Sequence, residues 1–193
     1  MKLTKGTYVK PSKDLNRLKF KPFDIKIYSQ NSRGLRAPDL EEVLMLMNKN
    51  NIFAWTVQET WMLGSSILQH SEGFVSLHHG PTEKLCRRGS LGVAIFLSPL
   101  AWKGAQKAGT KIHYYGDRII AVSIIIKDGK GKDVKLRIIS AYAPDSSKKH
   151  DIMDEYEFYL EAAIASCDDV KIRVKQQGIV KYLPNILKSV LIQ

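Results

Sequence analysis

The chain of 193 residues has no apolar run of the roughly 18–20 residues that a membrane-spanning helix needs. Its first 21 residues are basic, yet they lack the continuous apolar stretch of a secretory leader and the Ser/Arg bias of a transit peptide. Cysteine is scarce. Cys86 and Cys167 stand far apart with no paired spacing, which argues against a disulfide framework and against a zinc site. Two ordinary thiols suit an intracellular, reducing compartment, the nucleus included. His70, His78, His79, His113 and His150 have no acidic partner at metal-ligand spacing and are expected on the surface or at strand edges. Solenoid-type repeats and low-complexity segments are missing as well. Negative charge is in short supply: 19 Asp and Glu face 30 Lys and Arg, giving a net charge of +11 and a pI near 9.6.

What is present is an ordinary globular composition, 44% hydrophobic and 25% charged. The excess charge sits at the ends. Residues 1–24 hold seven Lys/Arg against two Asp, and residues 168–193 hold five against two. Such ends suit a polyanion, nucleic acid first and an anionic membrane surface second. The expected organisation is a basic flexible arm over 1–22, one domain over 23–167, and a basic tail over 168–193. In the tail, Ile179, Tyr182, Ile186 and Val190 follow a helical period broken by Pro184.

Phe23, Ile25 and Ile27 alternate with Asp24, Lys26 and Tyr28, a strand pattern that stops at Gln30-Asn31 and breaks into "NSRGLRAP". Leu40, Val43, Leu44 and Met47 then recur at helical spacing. Asp39 is the expected N-cap, with Glu42 at the capping-box position and Pro38 just outside. Asn50-Asn51 end the helix. "IFAWTVQ" is a continuous apolar run, as in a strand buried on both faces. Strand, helix and strand within about 35 residues predict a βαβ unit with parallel strands. Functional groups in such sheets gather at the carboxyl ends of strands, where Asn31 and Glu59 lie. Further strands are predicted over "GFVSLHH", over Val93 to Leu97, and as a hairpin within "DRIIAVSIIIKDGKGKDVKLRIISAYAP". Ile152, Tyr156, Leu160, Ala163 and Cys167 form the stripe of a helix over 151–167.

Four segments in this order carry a resemblance: "SQNSRGL", "VQET", "GSLGVAIFL" and "SAYAPD". Together they are similar to the motifs of the endonuclease/exonuclease/phosphatase superfamily. The nearest likeness within it is to the apurinic/apyrimidinic-type endonuclease domain of LINE-like retrotransposons. The resemblance covers about residues 24–167. It implies a four-layer α/β/β/α sandwich and a Mg²⁺-dependent hydrolase that nicks DNA. It also implies roles. Glu59 would hold the metal with Asn31 beside it, and Tyr142 would offer its phenol to the phosphate or leaving oxygen. Asn31, Glu59 and Tyr142 are thus the expected catalytic set. Arg118 and Asp145 are further candidates for contact with substrate phosphate.

Several positions depart from the family pattern. Gln30 replaces its usual Trp, Asp145 its usual Asn, and Arg33 stands where Asp or Asn is frequent. The later glycine-aspartate-phenylalanine-asparagine and serine-aspartate-histidine motifs do not occur. The expectation is therefore a partial sandwich with its C-terminal half missing, one sheet exposing an apolar face, and weak or absent turnover. General acid–base help supplies roughly 10²–10⁴-fold, and the residues for it are lacking. Two other functions stay open: a non-catalytic basic nucleic-acid-binding remnant, and a hydrolase of small phosphate esters. The bland alternatives are an Asx turn at Asn31, a turn-start acid at Glu59, a half-buried strand-end aromatic at Tyr142, and a solvated charge at Arg118.

Overall fold

The computed structural model describes residues 25–83, 91–128, 130–145 and 150–165. The arm expected over 1–22, the tail expected over 168–193, Cys86 and Cys167 lie outside the described residues. The chain runs β1 (Ile27–Asn31), α1 (Ala37–Asn50), β2 (Ala54–Gln58), β3 (Ser65–Gln69), β4 (Val75–His79), β5 (Val93–Leu97), α2 (Pro99–Lys107), β6 (Ile112–Tyr115), β7 (Ile119–Lys127), β8 (Asp133–Ala141) and α3 (His150–Ala165).

Five strands form one sheet in the order β1-β2-β5-β4-β3, and three form a second in the order β6-β7-β8. β1 and β2 are parallel neighbours, with Ile27 opposite Ala54 and Asn31 opposite Gln58. The other pairs are antiparallel, including the long β7–β8 hairpin. Alternation along each strand decides the layers. Leu77, Val93 and Ile95 of the first sheet meet Ile120, Val122, Leu136 and Ile138 of the second in one buried cluster. The opposite face of the first sheet, with Trp55, Val57, Ala94 and Phe96, is covered by Val43 and Met47 of α1. The outer face of the second, with Ile119, Ala121, Ile139 and Ala141, is covered by Leu160 and Ala163 of α3. Helix, sheet, sheet and helix are the four expected layers. Each fully buried aliphatic side chain contributes about 1.5–3 kcal/mol of transfer free energy.

The bare apolar sheet face expected above is not found among the described residues, because α1 and α3 each cover one. Among the described residues β1, β3, β6 and β8 are each paired on one side only, and Tyr28 of β1 is exposed. No helix among the described residues is long and apolar enough to cross a membrane.

α1 starts earlier than its periodicity suggests. Arg36 is the N-cap and Pro38 lies inside the first turn. Asp39 is the third helical residue, and its Oδ2 accepts the Arg36 backbone N–H at 2.9 Å. Asp39 therefore fills the acidic position of the capping box, which displaces Glu42 from that role. β3, α2 and β6 were not legible. β3 and β6 are short and partly exposed, and α2 buries mainly Ala101, Gly104 and Ala105, which carry little hydrophobic signal.

His78 and His79 are buried, contrary to the surface placement expected of them. β4 is an interior strand of the first sheet, and every one of its residues is buried, so both of its faces are covered. His79 donates from Nε2 to the Gly116 carbonyl while its Nδ1 accepts the Ser65 hydroxyl at 2.8 Å, which ties β4 to the second sheet. His78 and His70 both reach the Ser76 hydroxyl at 2.7 Å. Burial, helped by the nearby His70, pushes His78 down to about 4. An unfolded chain takes up that proton near pH 6.5, so the unfolded state binds more protons between about pH 6.5 and 4. Stability from this residue is complete above about pH 6.5 and is lost as pH falls through about 4. Denaturant unfolding should show a fall of up to about 3 kcal/mol across that window, and His78→Gln should flatten it.

Candidate active site at the carboxyl ends of the parallel strands

β1 and β2 end side by side, and their pairing continues beyond the last strand residues. Ser32, Gly34 and Leu35 donate their backbone N–H groups to the carbonyls of Gln58, Glu59 and Thr60 at 2.9, 2.7 and 3.0 Å. The Ser32 hydroxyl adds bonds to the Gln58 and Glu59 carbonyls at 3.1 and 3.0 Å. On the other side, Thr60 and Trp61 donate to the Gly92 and Leu91 carbonyls. Gly92 has φ of +98°, and a Cβ there would stand 2.5 Å from Thr60 Oγ1. This close approach is why the segment preceding β5 carries glycine. Glu59 itself adopts a left-handed φ of +55°, as do Arg33 and Trp61. Such backbone costs on the order of 1–2 kcal/mol per non-glycine residue, so it persists only where surrounding bonds hold it.

The left-handed turn presents the Glu59 carboxylate to two donors. Asn31 Nδ2 donates to Oε1 at 2.6 Å, and Tyr142 Oη donates to the same oxygen at 2.9 Å. Oε2 takes part in neither bond. The Asn31 amide oxygen accepts the Arg33 backbone N–H at 3.1 Å. Asn31 is thus an Asx turn and a carboxylate donor together, so its bland and functional readings coexist. Tyr142 follows β8, 83 residues from Glu59 in sequence. Burial and its bond to Glu59 push its phenol up from the ordinary 10 to about 12. Arg118 is half-buried, not solvated. Its guanidinium lies 5.5 Å from the Tyr142 ring centroid, and its carbonyl accepts the Tyr142 N–H at 3.0 Å. Burial lowers its pKa, and the surrounding Tyr142, Asp117 and Glu155 oppose that shift. Asp145 is exposed, and its charge helps raise Tyr142.

Beneath this group lies a polar floor between the sheets. Buried Gln58 donates from Nε2 to Ser29 Oγ at 3.3 Å and to Ser140 Oγ at 3.5 Å, and Ser140 donates to the Val57 carbonyl at 3.3 Å. The structure therefore brings Asn31, Glu59, Tyr142 and Arg118 together, with Asp145 acting from the rim. Ser32, Gln58 and Ser140 were missed as supports. The available signal was an amide or hydroxyl closing an otherwise apolar strand.

A divalent cation can be weighed against this donor set. Among the described residues no group of three or more His, Cys, Asp or Glu converges on one point. Mg²⁺ is commonly held through one or two carboxylates plus substrate phosphate, with waters completing its shell. Glu59, with Oε2 clear of the Asn31 and Tyr142 bonds, fits that minimal requirement.

Among solved structures, the chain is similar to the Xenopus laevis APE2 catalytic domain, at 18% identity and a TM-score of 0.43. The match covers 71% of this chain and 50% of that one, so the chain spans about half the length of that domain. No protein-family model and no curated relative matches the sequence.

The Tyr142–Glu59 bond is open to direct test. In a spectrophotometric titration, the tyrosine lost in Tyr142→Phe should be the one ionising near pH 12. Glu59→Gln should bring that ionisation back toward 10, the ordinary value for tyrosine.

Proposed function

We propose that the chain is a member of the endonuclease/exonuclease/phosphatase superfamily, of the apurinic/apyrimidinic endonuclease type, whose reaction is Mg²⁺-assisted hydrolysis of a DNA phosphodiester. The observation that carries this reading is the meeting of Asn31 and Tyr142 on one oxygen of Glu59, three residues from three separate sequence motifs, with Arg118 against the Tyr142 ring. Glu59 would hold the cation, which when bound polarises the phosphoryl oxygen and stabilises the departing 3′ oxygen. Asn31 fixes the rotamer of the carboxylate. Tyr142 carries a proton that it can turn from Glu59 toward a phosphate or leaving oxygen. Arg118 supplies a fixed positive charge beside it, and the +11 net charge favours encounter with a polyanion.

The likeness to LINE-like retroelement domains is the finer part of this proposal. DNA as partner, a reducing intracellular compartment and the nucleus as setting belong with it. Turnover by these residues alone is slow, because the sequence offers neither the activating Asp nor the Asp-His pair that the family uses later in its chain. The net charge of +11 supports a second reading, a basic domain that binds nucleic acid without cutting it.

Supercoiled plasmid separates the two. The enzyme reading expects slow nicking that needs Mg²⁺, disappears in Glu59→Ala and falls roughly 10²–10³-fold in Tyr142→Phe, the usual cost of one positioned donor. Binding that weakens steeply with salt, with no nicking above the Glu59→Ala background, establishes the second reading instead.

A further inference from the structure

β3 closes one side of the five-stranded sheet, and among the described residues it pairs with β4 alone. The backbone bonds show which of its groups are used. Gly80 donates to the Gly64 carbonyl and His70 to the Phe74 carbonyl, both at 2.9 Å. Antiparallel partners alternate between bonded and non-bonded pairs, so Ser66 and Leu68 also turn their backbone groups toward β4. Ser65, Ile67 and Gln69 then present their N–H and C=O groups outward, where β3 has no neighbouring strand among the described residues.

Three features set this edge apart. No Lys, Arg, Asp or Glu occurs from Thr60 to Ser71, in a chain that is 25% charged. Edge strands are ordinarily guarded by a lysine, a proline or a bulge, and β3 has none of these. By contrast, β8 carries Lys135 and Arg137, β6 follows Lys111 and β1 follows Lys26. Ile67 and Leu68 stay 45% and 36% exposed, one on each face of the sheet, and Leu63 just before the strand is 53% exposed. A Cβ on Gly64 would meet nothing within 4 Å, so the space beside the start of the strand is open.

We infer that this edge docks β3 of a second copy of the chain, antiparallel and about a two-fold axis through Ile67. An interface of this kind is isologous, so the strand has to complement itself. β3 does. Its outward residues, Ser65, Ile67 and Gln69, are symmetric about Ile67. Ile67 therefore faces Ile67 of the second copy, and Ser65 of each copy faces Gln69 of the other. Each of these pairs exchanges both N–H···O=C bonds. The Ile67 side chains meet on one face of the joined sheet, and on the other each Leu68 lies against Ser66 of the opposite copy. Two molecules of charge +11 repel each other, but the uncharged stretch from Thr60 to Ser71 puts no like charges opposite one another at the contact. The two-fold reverses strand direction, so the two Glu59 turns open at opposite ends of the joined sheet. A five-residue pairing is small beside the roughly 1,200–2,000 Å² of a standard stable interface, so the dimer is reversible. It forms whether or not the chain cuts nucleic acid.

Sedimentation equilibrium of the full chain, freed of nucleic acid and held in EDTA, tests this. The mass should rise from the 21.8 kDa of one chain toward twice that as protein concentration increases. Added salt should strengthen the association, because it screens the repulsion between two basic copies. Hydrogen exchange gives the register. The amides of Ser65, Ile67 and Gln69 should slow about tenfold once about nine-tenths of the chains are paired, since exchange then proceeds through the unpaired fraction. Those of Ser66 and Leu68, already turned toward β4, should not change with concentration. Ile67→Lys sets two like charges face to face and should hold the mass at one chain at every concentration, whereas Ile67→Val should keep the dimer. Circular dichroism of each variant confirms that it is folded. A mass of one chain throughout, a dimer that persists in folded Ile67→Lys, or growth beyond two chains overturns the pairing. Slow exchange at Ser65, Ile67 and Gln69 that is independent of concentration also overturns it, because another segment of the same chain then lies on the edge. Association that weakens with salt overturns it in favour of bridging by a polyanion.

Discussion

Three backbone hydrogen bonds beyond the ends of β1 and β2 hold the candidate site together. They run from Ser32, Gly34 and Leu35 to the carbonyls of Gln58, Glu59 and Thr60. Parallel strands present their carboxyl ends on the same side, so two loops emerge there together. Extending the ladder into those loops fixes the spacing between Asn31 and Glu59 and holds Arg33, Glu59 and Trp61 in left-handed backbone. Without it, each of those residues would relax to ordinary φ values and the carboxylate would turn away from its donors. The second sheet then adds what the first cannot supply. Ser140 meets Gln58 below the turn, and Tyr142 reaches Glu59 above it.

Electrostatics at the site follow from this arrangement. One carboxylate accepts from an amide and a phenol, a half-buried guanidinium lies against the phenol ring, and Asp117, Asp145 and Glu155 add negative charge around them. Partial burial and the negative charge of Glu59 both disfavour the phenolate of Tyr142 and raise its pKa. His78 shows the opposite sign of the same physics, since burial there removes the charged form of a base. Neither shift depends on surface ion pairs. Those that exist, such as Lys107–Asp133 at 2.6 Å, are exposed and contribute little.

Among the described residues, Glu59 is the carboxylate that Asn31 and Tyr142 hold in place. A single carboxylate can hold a hard cation only with help from substrate oxygens and water. Binding energy from neighbouring groups then matters more, since it must orient the phosphodiester without a dense ligand cage. Arg118 stands beside Tyr142, and the cleft that Trp61 lines opens next to the Glu59 turn.

Much of this protein was determined by its sequence alone. The alternation through Ile25 and Ile27, the apolar run ending at Gln58 and the helical spacing from Leu40 to Met47 match the observed βαβ unit, because each sets an apolar face that packs on the core. The same patterning set the β7–β8 hairpin, the α3 stripe and the position of Asn31 and Glu59 at neighbouring strand ends. Local pattern could not show α2, whose buried face is alanine and glycine, or β3 and β6, which are short and half exposed. It misread His78 and His79 as surface groups, since burial of a polar residue depends on which strands flank it. Only the tertiary structure brought Tyr142 to Glu59 across 83 residues. It alone put β3 at a sheet edge with Ile67 and Leu68 exposed. Contacts of that kind arise from sheet stacking and loop closure, which depend on distances that no local periodicity encodes.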